Sequence, residues 1–197
     1  MSVNMNEISL LREYQLIAGV DEVGRGAGFG PVIICITAID KVFPGRGITD
    51  SKLLSMGKRI ELDGYIKSQV KEAHFGESTA KEINQKGLSW ALRKATERAF
   101  EKFINKPEFL IFDGKYPLAD LGVPFLVEIK ADKNFLAVSS ASILAKNYRD
   151  EKIIEMSKIY NKWELAKNKG YPTLEHKALV KKHGLSKEHR NNWGWGL

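Results

Sequence analysis

Residues 14–39, with the sequence YQLIAGVDEVGRGAGFGPVIICITAI, decide the fold of this chain. Residues 14–20 and 32–39 are apolar runs of strand length, and the second is almost wholly apolar, as is typical of a strand at the centre of a sheet. The acidic pair Asp21 and Glu22 ends the first run, and a glycine-rich turn joins the two runs. The segment therefore predicts two strands, with carboxylates where the first strand meets the turn.

The rest of the chain alternates between strand and helix patterns. Further strands are predicted at 73–77, 109–112 and 125–129, and helices at 55–71, 78–105, 135–160 and 173–183. Within 78–105, apolar residues recur every three or four positions, as one buried helix face requires. This order predicts a single α/β domain over residues 1–197 with a mixed sheet, on which residues from about 160 onward pack as a C-terminal helical extension.

The composition is that of a globular protein, with 43% hydrophobic and 28% charged residues in a chain of 197. The one cysteine, Cys35, excludes a disulfide framework and a zinc site built on thiolates. No apolar run approaches the roughly 20 residues that span a bilayer, and residues 1–11 lack a signal-peptide pattern. We therefore expect a monomeric, cytoplasmic protein that does not bind membranes.

The net charge of +7 is concentrated in the last third of the chain. Basic and acidic residues balance over residues 1–132, so residues 133–197 supply the whole excess. A basic surface beside a neutral body indicates a polyanionic partner such as nucleic acid, although a role in solubility alone would also account for it.

Four carboxylates follow predicted strands: Asp21, Glu22, Asp113 and Asp132. Because the ends of neighbouring strands lie close together, we expect these side chains to converge. Without a counter-charge they would repel one another, and a set of oxygen ligands suits Mg²⁺ or Mn²⁺. Two such ions about 4 Å apart can activate water and stabilise the leaving oxygen in phosphodiester cleavage. The alternative is that acids end strands only because they favour turns.

The glycine-rich turn and a later tyrosine are candidates for substrate contacts. Gly24, Arg25 and Gly26 lie beside the acidic pair, where backbone amides can come close to a sugar-phosphate chain. A glycine-rich hairpin without any substrate contact explains the same residues. Tyr171 either packs in the core or stacks on a sugar or base.

The helix predicted at 135–160 carries a polar face made by Ser139, Ser142, Lys146 and Arg149, which follow a spacing of three or four residues. This face suits phosphate contacts. The small residues around it suit close helix packing equally well.

Three histidines and two tryptophans stand near the C-terminus. His176, His183 and His189 have no cysteine partners and no tight metal spacing, so we interpret them as surface or capping residues. Trp193 and Trp195 either fold back onto the domain or stay free for a partner.

Taken together, these motifs resemble the type 2 ribonuclease H family, ribonuclease HII, over about residues 15–190. Five segments carry the resemblance: Asp21-Glu22-Val23-Gly24-Arg25-Gly26 with Gly30-Pro31-Val32; Thr49-Asp50-Ser51-Lys52-Leu53; Asp113-Gly114; Lys130-Ala131-Asp132 with the helix residues from Ser139 to Lys146; and Gly170-Tyr171-Pro172-Thr173 with His176 and His189-Arg190. The chain departs from the family pattern at residues 27–29, where Pro-Leu-Ala is usual, and at Ala131, where glycine is frequent.

The resemblance implies an RNase H-like fold, with a five-stranded mixed sheet flanked by helices, and a site made by the four carboxylates. The substrates would be RNA–DNA hybrids and DNA duplexes with embedded ribonucleotides. The strand would be nicked 5′ to a ribonucleotide, leaving a 3′-OH and a 5′-phosphate. By the same resemblance, Gly24, Arg25 and Gly26 would sense the ribose 2′-OH, and Tyr171 would pack on the deoxyribose that follows the ribonucleotide.

We expect the backbone phosphates to be bound by the basic last third and by four side chains, namely Lys52, Ser139, Ser142 and Lys146. Three alternatives stay open: a type 3 ribonuclease H that needs longer hybrids, a nucleic-acid-binding module without catalysis, and a small-molecule phosphohydrolase. The tryptophan-rich tail is a candidate for contact with a replication clamp.

Overall fold

The computed structural model describes residues 5–41, 43–45, 47–48 and 54–196, without the side chains of residues 5 and 6. Its elements in chain order are α1 (Met5–Glu13), β1 (Ile17–Val23), β2 (Val32–Ile39), α2 (Met56–Gln69), β3 (Glu72–Ser78), α3 (Ala80–Lys86), α4 (Leu88–Phe100), β4 (Phe109–Asp113), β5 (Phe125–Glu128), α5 (Leu136–Ile159), α6 (Leu165–Asn168) and α7 (Leu174–His183). Short 3₁₀ turns at Ala131–Lys133 and Asn161–Trp163 precede α5 and α6.

The strands of this described part form one sheet in the order β3-β2-β1-β4-β5. β2 runs antiparallel to both β1 and β3, whereas β1, β4 and β5 are parallel to one another. The predicted five-stranded mixed sheet with flanking helices is confirmed.

β1 continues past its predicted end at Val20. Pairing with β2 extends it, because Asp21 lies opposite Cys35 and Glu22 opposite Ile34. The prediction that the acidic pair follows the strand is therefore wrong, since both acids lie within it. The glycine-rich turn connects these two antiparallel strands as a hairpin.

The helix predicted at 78–105 is two helices, α3 and α4, and the second ends at Phe100. The break is at Gly87, whose φ of 83° lies in the left-handed region that glycine adopts without strain. A capping box between Thr79 and Glu82 begins α3. The apolar spacing predicted the buried face correctly but not the interruption, because two helices in sequence share much the same spacing.

Helices cover both faces of the sheet. α2 and α5 pack on the face that includes Ile17 and Cys35, and α4 packs on the face that includes Ala18 and Leu110. A third cluster joins the glycine-rich turn to α5 and the C-terminal helices through Phe29, Ile153, Trp163, Leu165, Val180 and Trp195. Within the ranges described, no helix is long and apolar enough to cross a membrane.

Glu7 is a buried acid that ties α1 to the start of α5. Its carboxylate accepts the N–H groups of Leu136 at 3.0 Å and Ala137 at 2.9 Å, which a helix N-terminus leaves without an intrahelical partner. Burial raises the pKa of Glu7 to about 7, although the two N–H donors act to lower it.

We expect Glu7 to make the folded state less stable as the pH rises. Its pKa is about 7 in the folded chain and near 4.5 in the unfolded chain, so its stabilising contribution is complete below 4.5 and is lost as the pH rises through 7. The Glu7→Gln variant has no such group. The free energy of unfolding of the parent, relative to the variant, should therefore fall by about 3 kcal/mol between about pH 4 and pH 8. Urea unfolding at both pH values measures the difference, and an equal pH response of the two proteins would contradict it.

Candidate active site

Two of the predicted acids lie at one end of the sheet. β1 and β4 are parallel neighbours with Val20 opposite Phe112. The residues that follow, Asp21 and Asp113, are consequently at the same end of adjacent strands. Asp113 is the last residue of β4 and accepts the Ala131 N–H at 2.9 Å.

A cavity of about 330 Å³ opens at this end of the sheet. β1, the glycine-rich turn, the end of β4, α5 and the segment before α7 all contribute to its lining, which consists of Asp21, Glu22, Val23, Gly24, Arg25, Gly26, Asp113, Ser142, Lys146 and Tyr171. All of these except Val23 were predicted from the sequence as catalytic or substrate-binding residues. Tyr171 is partly exposed in the cavity rather than packed in the core.

Asp21 is a buried acid with a raised pKa. Its pKa is raised to about 7, mainly by burial; a hydrogen bond from the Ser142 hydroxyl opposes the rise, the nearby charges of Glu22 and Asp113 contribute to it, and a hydrogen bond from the Glu22 N–H opposes it. The Glu22 N–H donates to Oδ1 of Asp21 at 2.8 Å. Three acidic side chains, Asp21, Glu22 and Asp113, line one cavity, and such a concentration of negative charge is a site where a cation is electrostatically favoured.

Asp132 reaches this region by a different route. It lies in the 3₁₀ turn Ala131–Lys133, separated from the end of β5 by a segment in which Lys130 has a φ of 63°. The expectation that it directly follows a strand is therefore wrong. Its side chain is 2% exposed and does not line the cavity. The turn is tied to the site through Ala131, whose N–H binds Asp113.

One predicted phosphate contact, Ser139, is not part of the cavity lining. Ser139 is 4% exposed, and its hydroxyl donates to the main-chain carbonyl of Asp132, so it supports the 3₁₀ turn. Lys52 lies outside the described residues. Of the polar face of α5, the structure brings Ser142 and Lys146 into the cavity but not Ser139.

Lys146 is oriented by residues that the sequence analysis did not single out. Its Nζ lies 2.8 Å from Oδ1 of Asp150, whose Oδ2 lies 3.5 Å from Nη2 of Arg59. The spacing of four residues between Lys146 and Asp150 on one helix was the available signal. Arg59 comes from α2, and nothing in the sequence indicated its contact with Asp150.

The described residues contain no group of three or more acidic, histidine or cysteine side chains arranged to bind a metal ion by themselves. The acids of the cavity are nevertheless hard oxygen donors of the kind that Mg²⁺ prefers. This ion is commonly bound by one or two carboxylates, with waters and substrate phosphates completing its coordination. The donor set therefore fits such an ion without a complete protein cage.

The C-terminal residues are more deeply buried than predicted. His176 and His189 are 0% exposed, so their interpretation as surface or capping residues is wrong, whereas His183 is exposed. Trp195 is 5% exposed and donates its Nε1–H to the Arg190 carbonyl at 2.7 Å. The tail therefore folds back onto the domain.

The fold is that of the ribonuclease H-like proteins. Superposition on the ribonuclease H2 of Pyrococcus horikoshii OT3 gives a TM-score of 0.78 at 26% identity, covering 91% of this chain and 94% of that one. The Bst-RNase HIII structure in complex with Mn²⁺ shares the fold, with a TM-score of 0.64 at 18% identity over 86% of this chain and 63% of that one.

The sequence comparison is more specific. The chain matches the model of the ribonuclease HII family over residues 18–194. It is 39% identical to the ribonuclease HII of Streptomyces griseus over 184 residues, which cover 91% of this chain and 77% of that protein. The chain belongs to the ribonuclease HII family and is a hydrolase, an endonuclease of the ribonuclease H type.

Proposed function

We propose that this protein nicks the ribonucleotide-containing strand of RNA–DNA hybrids and of DNA duplexes with embedded ribonucleotides. The cut falls 5′ to the ribonucleotide and leaves a 3′-OH and a 5′-phosphate. One observation carries the proposal: a single cavity is lined by Asp21, Glu22 and Asp113 together with the glycine-rich turn and Tyr171. Groups suited to phosphodiester hydrolysis are thereby next to groups suited to contacting a sugar.

The cofactor we propose is Mg²⁺ or Mn²⁺, bound by Asp21, Glu22 and Asp113. The fourth ligand we propose, Asp132, is buried in the 3₁₀ turn whose Ala131 N–H binds the Asp113 carboxylate. The donor chemistry supports this assignment, as does the Mn²⁺ complex of the structural relative Bst-RNase HIII. When bound, a pair of such ions supplies an activated water and stabilises the leaving oxygen.

The protein's own residues bind and orient the phosphate backbone. Lys146 reaches the cavity from α5 and is held there by Asp150. Ser142 binds Asp21 and fixes the direction of that carboxylate. The side chain of Arg25 is 62% exposed, and its ion pair with Glu22 is long, at 3.4 Å. The guanidinium is therefore available to a phosphate. We assign further phosphate contacts to the basic residues of the C-terminal extension. We propose that this extension is part of the same domain.

Recognition of the sugar is assigned to the turn and to Tyr171. The 2′-OH distinguishes RNA from DNA at a single nucleotide. Beside Gly26 there is open space, with no atom within 4 Å of the position a Cβ would take. A ribose can therefore approach the backbone there, while the Tyr171 ring offers a flat surface to the next sugar.

We expect Tyr171→Ala to lose the preference for single ribonucleotides. Without the ring, cleavage of a DNA duplex containing one ribonucleotide should fall by on the order of tenfold or more, the usual cost of removing a stacking aromatic. Cleavage of a long RNA–DNA hybrid should fall less, because the nucleotide after the cut ribonucleotide there carries a ribose, whereas the proposed contact of Tyr171 is with a deoxyribose. The Tyr171→Phe variant is the matched control and should keep the parental ratio of the two rates.

Assays of the parent on both duplexes, with Mg²⁺ and with Mn²⁺, test the proposed function itself. Metal-dependent cleavage of the long hybrid, with none of the single-ribonucleotide duplex, would contradict the proposed specificity. Binding without any cleavage would contradict the activity.

A contact between the tail and a replication clamp stays a prediction. Of the two tail tryptophans, only Trp193 is partly exposed for such a contact.

A further inference from the structure

The segment around His189 and Arg190 packs against the glycine-rich turn from inside the protein. Phe29 and His189 form a β-bridge. The Arg190 N–H donates to the Gly28 carbonyl at 2.7 Å, and the Gly30 N–H donates to the Glu188 carbonyl at 2.9 Å. The turn that lines the cavity thus has the C-terminal extension as its inner support.

The guanidinium of Arg190 binds the turn through three main-chain carbonyls. It is fully buried, and it donates from Nη1 to Gly24 at 2.8 Å and Arg25 at 3.2 Å, and from Nε to Gly30 at 3.0 Å. In a trans peptide the C=O and the following N–H point in opposite directions. Because the carbonyls of Gly24 and Arg25 face Arg190, the N–H groups of Arg25 and Gly26 face away from it, and both residues line the cavity.

His189 is linked to Tyr171 through a second histidine. The Ser186 N–H donates to Nδ1 of His189 at 2.9 Å, the two Nε2 atoms of His189 and His176 are 3.2 Å apart, and Nδ1 of His176 is 2.9 Å from the Tyr171 carbonyl. One proton arrangement satisfies every partner. His189 donates from Nε2 to His176, and His176 donates from Nδ1 to the carbonyl.

This hydrogen-bonded chain is formed by two neutral imidazoles. In it, Nδ1 of His189 accepts from the Ser186 N–H and lies 2.8 Å from the Ser186 hydroxyl, which can donate to it as well. Burial lowers the pKa of His189 to about 4 and lowers that of His176 as well. Both rings are therefore neutral near pH 7, and the contact with Tyr171 persists there.

A third buried group, Arg149, lies between the glycine-rich turn and Tyr171. Nε of Arg149 is 2.3 Å from the position that a Cβ on Gly24 would take, and its guanidinium carbon is 5.3 Å from the centre of the Tyr171 ring. Arg149 also donates to the Phe29 carbonyl at 3.2 Å and to that of Lys169 at 2.9 Å. The turn and the tyrosine are consequently packed against one side chain. In addition, the turn is hydrogen bonded to Arg190, and Tyr171 is linked to His189 through His176.

We propose that His189 and Arg190 are positioning residues that hold the Gly24–Arg25–Gly26 turn and Tyr171 at one fixed spacing, and that this spacing sets the selectivity for a ribonucleotide followed by a deoxyribonucleotide. The inference rests on the proposed function, in which these two elements contact successive sugars. Neither residue touches the substrate. They act by positioning other residues, because a small displacement of the groups that bind the substrate lowers the cleavage rate greatly.

Arg190→Lys and Arg190→Met, compared with the parent, test this proposal. The measured quantity is the ratio of kcat/KM for a single-ribonucleotide duplex to kcat/KM for a long hybrid. The ratio should fall about tenfold in Arg190→Met, as expected when groups that act only on one substrate are misplaced. Arg190→Lys keeps the charge but reaches fewer carbonyls. Its ratio should therefore lie between those of the parent and Arg190→Met.

Val180→Ala is the matched control. It removes buried apolar volume from the same C-terminal cluster, and its side chain forms no hydrogen bond to the turn or to Tyr171. It should lower the melting temperature and leave the ratio at the parental value. If Arg190→Met does not fold, the intermediate ratio of Arg190→Lys carries the test.

Three outcomes separate the inference from the proposed function. A parental ratio in every folded Arg190 variant, while Tyr171→Ala lowers it, would overturn the inference alone. A parent that does not cleave single-ribonucleotide duplexes would overturn the proposed function and the inference with it. A ratio that falls in the Arg190 variants but not in Val180→Ala supports the inference.

Discussion

Replacing Asp21 with asparagine is expected to slow cleavage by on the order of a thousandfold or more in Mg²⁺ and in Mn²⁺, because one charged ligand of the proposed metal site is lost while the shape of the side chain is kept. The same variant should unfold at a temperature no lower than that of the parent when divalent ions are absent. The reason is that Asp21 is buried beside Glu22 and Asp113, so the substitution removes a charge that its neighbours repel.

The opposite directions of these two effects separate loss of the site from loss of the fold. Asp120→Asn is the matched control, since Asp120 is an exposed aspartate whose Oδ1 accepts the Gly122 N–H, and asparagine can form the same turn. It should cleave at the parental rate. Calorimetric titration with Mn²⁺ adds a measurement independent of cleavage. Parental cleavage and parental Mn²⁺ binding by Asp21→Asn would refute the metal assignment.

Gly19→Ala is expected to destabilise the protein by about 3 kcal/mol or more, at the upper end of what overpacking costs. A Cβ at this position would lie 2.2 Å from the main-chain carbon of Ala137 and from the main-chain nitrogen of Val138. Neither atom belongs to a flexible side chain, so relief requires α5 to move away from β1. That movement would also displace Ser142 and Lys146 from the cavity.

The exposed glycine Gly64 of α2 provides the control. A Cβ there meets nothing within 4 Å, so Gly64→Ala should stabilise the protein by up to about 1 kcal/mol through helix propensity. Urea denaturation measures both variants. If Gly19→Ala were as stable as the parent, the close approach of β1 and α5 could not be a constraint on the fold.

The elements that the sequence predicted well are those defined by local pattern. The almost wholly apolar run of residues 32–39 matches β2, and the helix predicted at 173–183 matches α7, which Thr173 and Gly184 cap. The errors arise where pairing or a single backbone angle decides the outcome. β1 extends through the acids because β2 pairs with it, and Gly87 divides α3 from α4 because of its positive φ.

The candidate site divides in the same way. Strand ends and motif spacing were enough to predict that Asp21 and Asp113 approach each other, because adjacent parallel strands end together. The same reasoning placed Ser139 with Ser142 and Lys146, since they share a helix face. Burial separates them, because Ser139 lies beneath the 3₁₀ turn and binds the Asp132 carbonyl.

The amino-acid sequence by itself determined the hairpin at the start of the sheet, the mixed α/β fold and the family, because each depends on residues close together in the chain or on motifs in a fixed order. Only the tertiary structure decided that Tyr171 lines the cavity and that two histidines are buried and linked to it. It also decided that Arg190 binds the carbonyl of Gly24 across 166 positions. The physical reason is that the same histidine or arginine is equally compatible with a surface and an interior. Packing of distant segments alone determines which of the two it occupies.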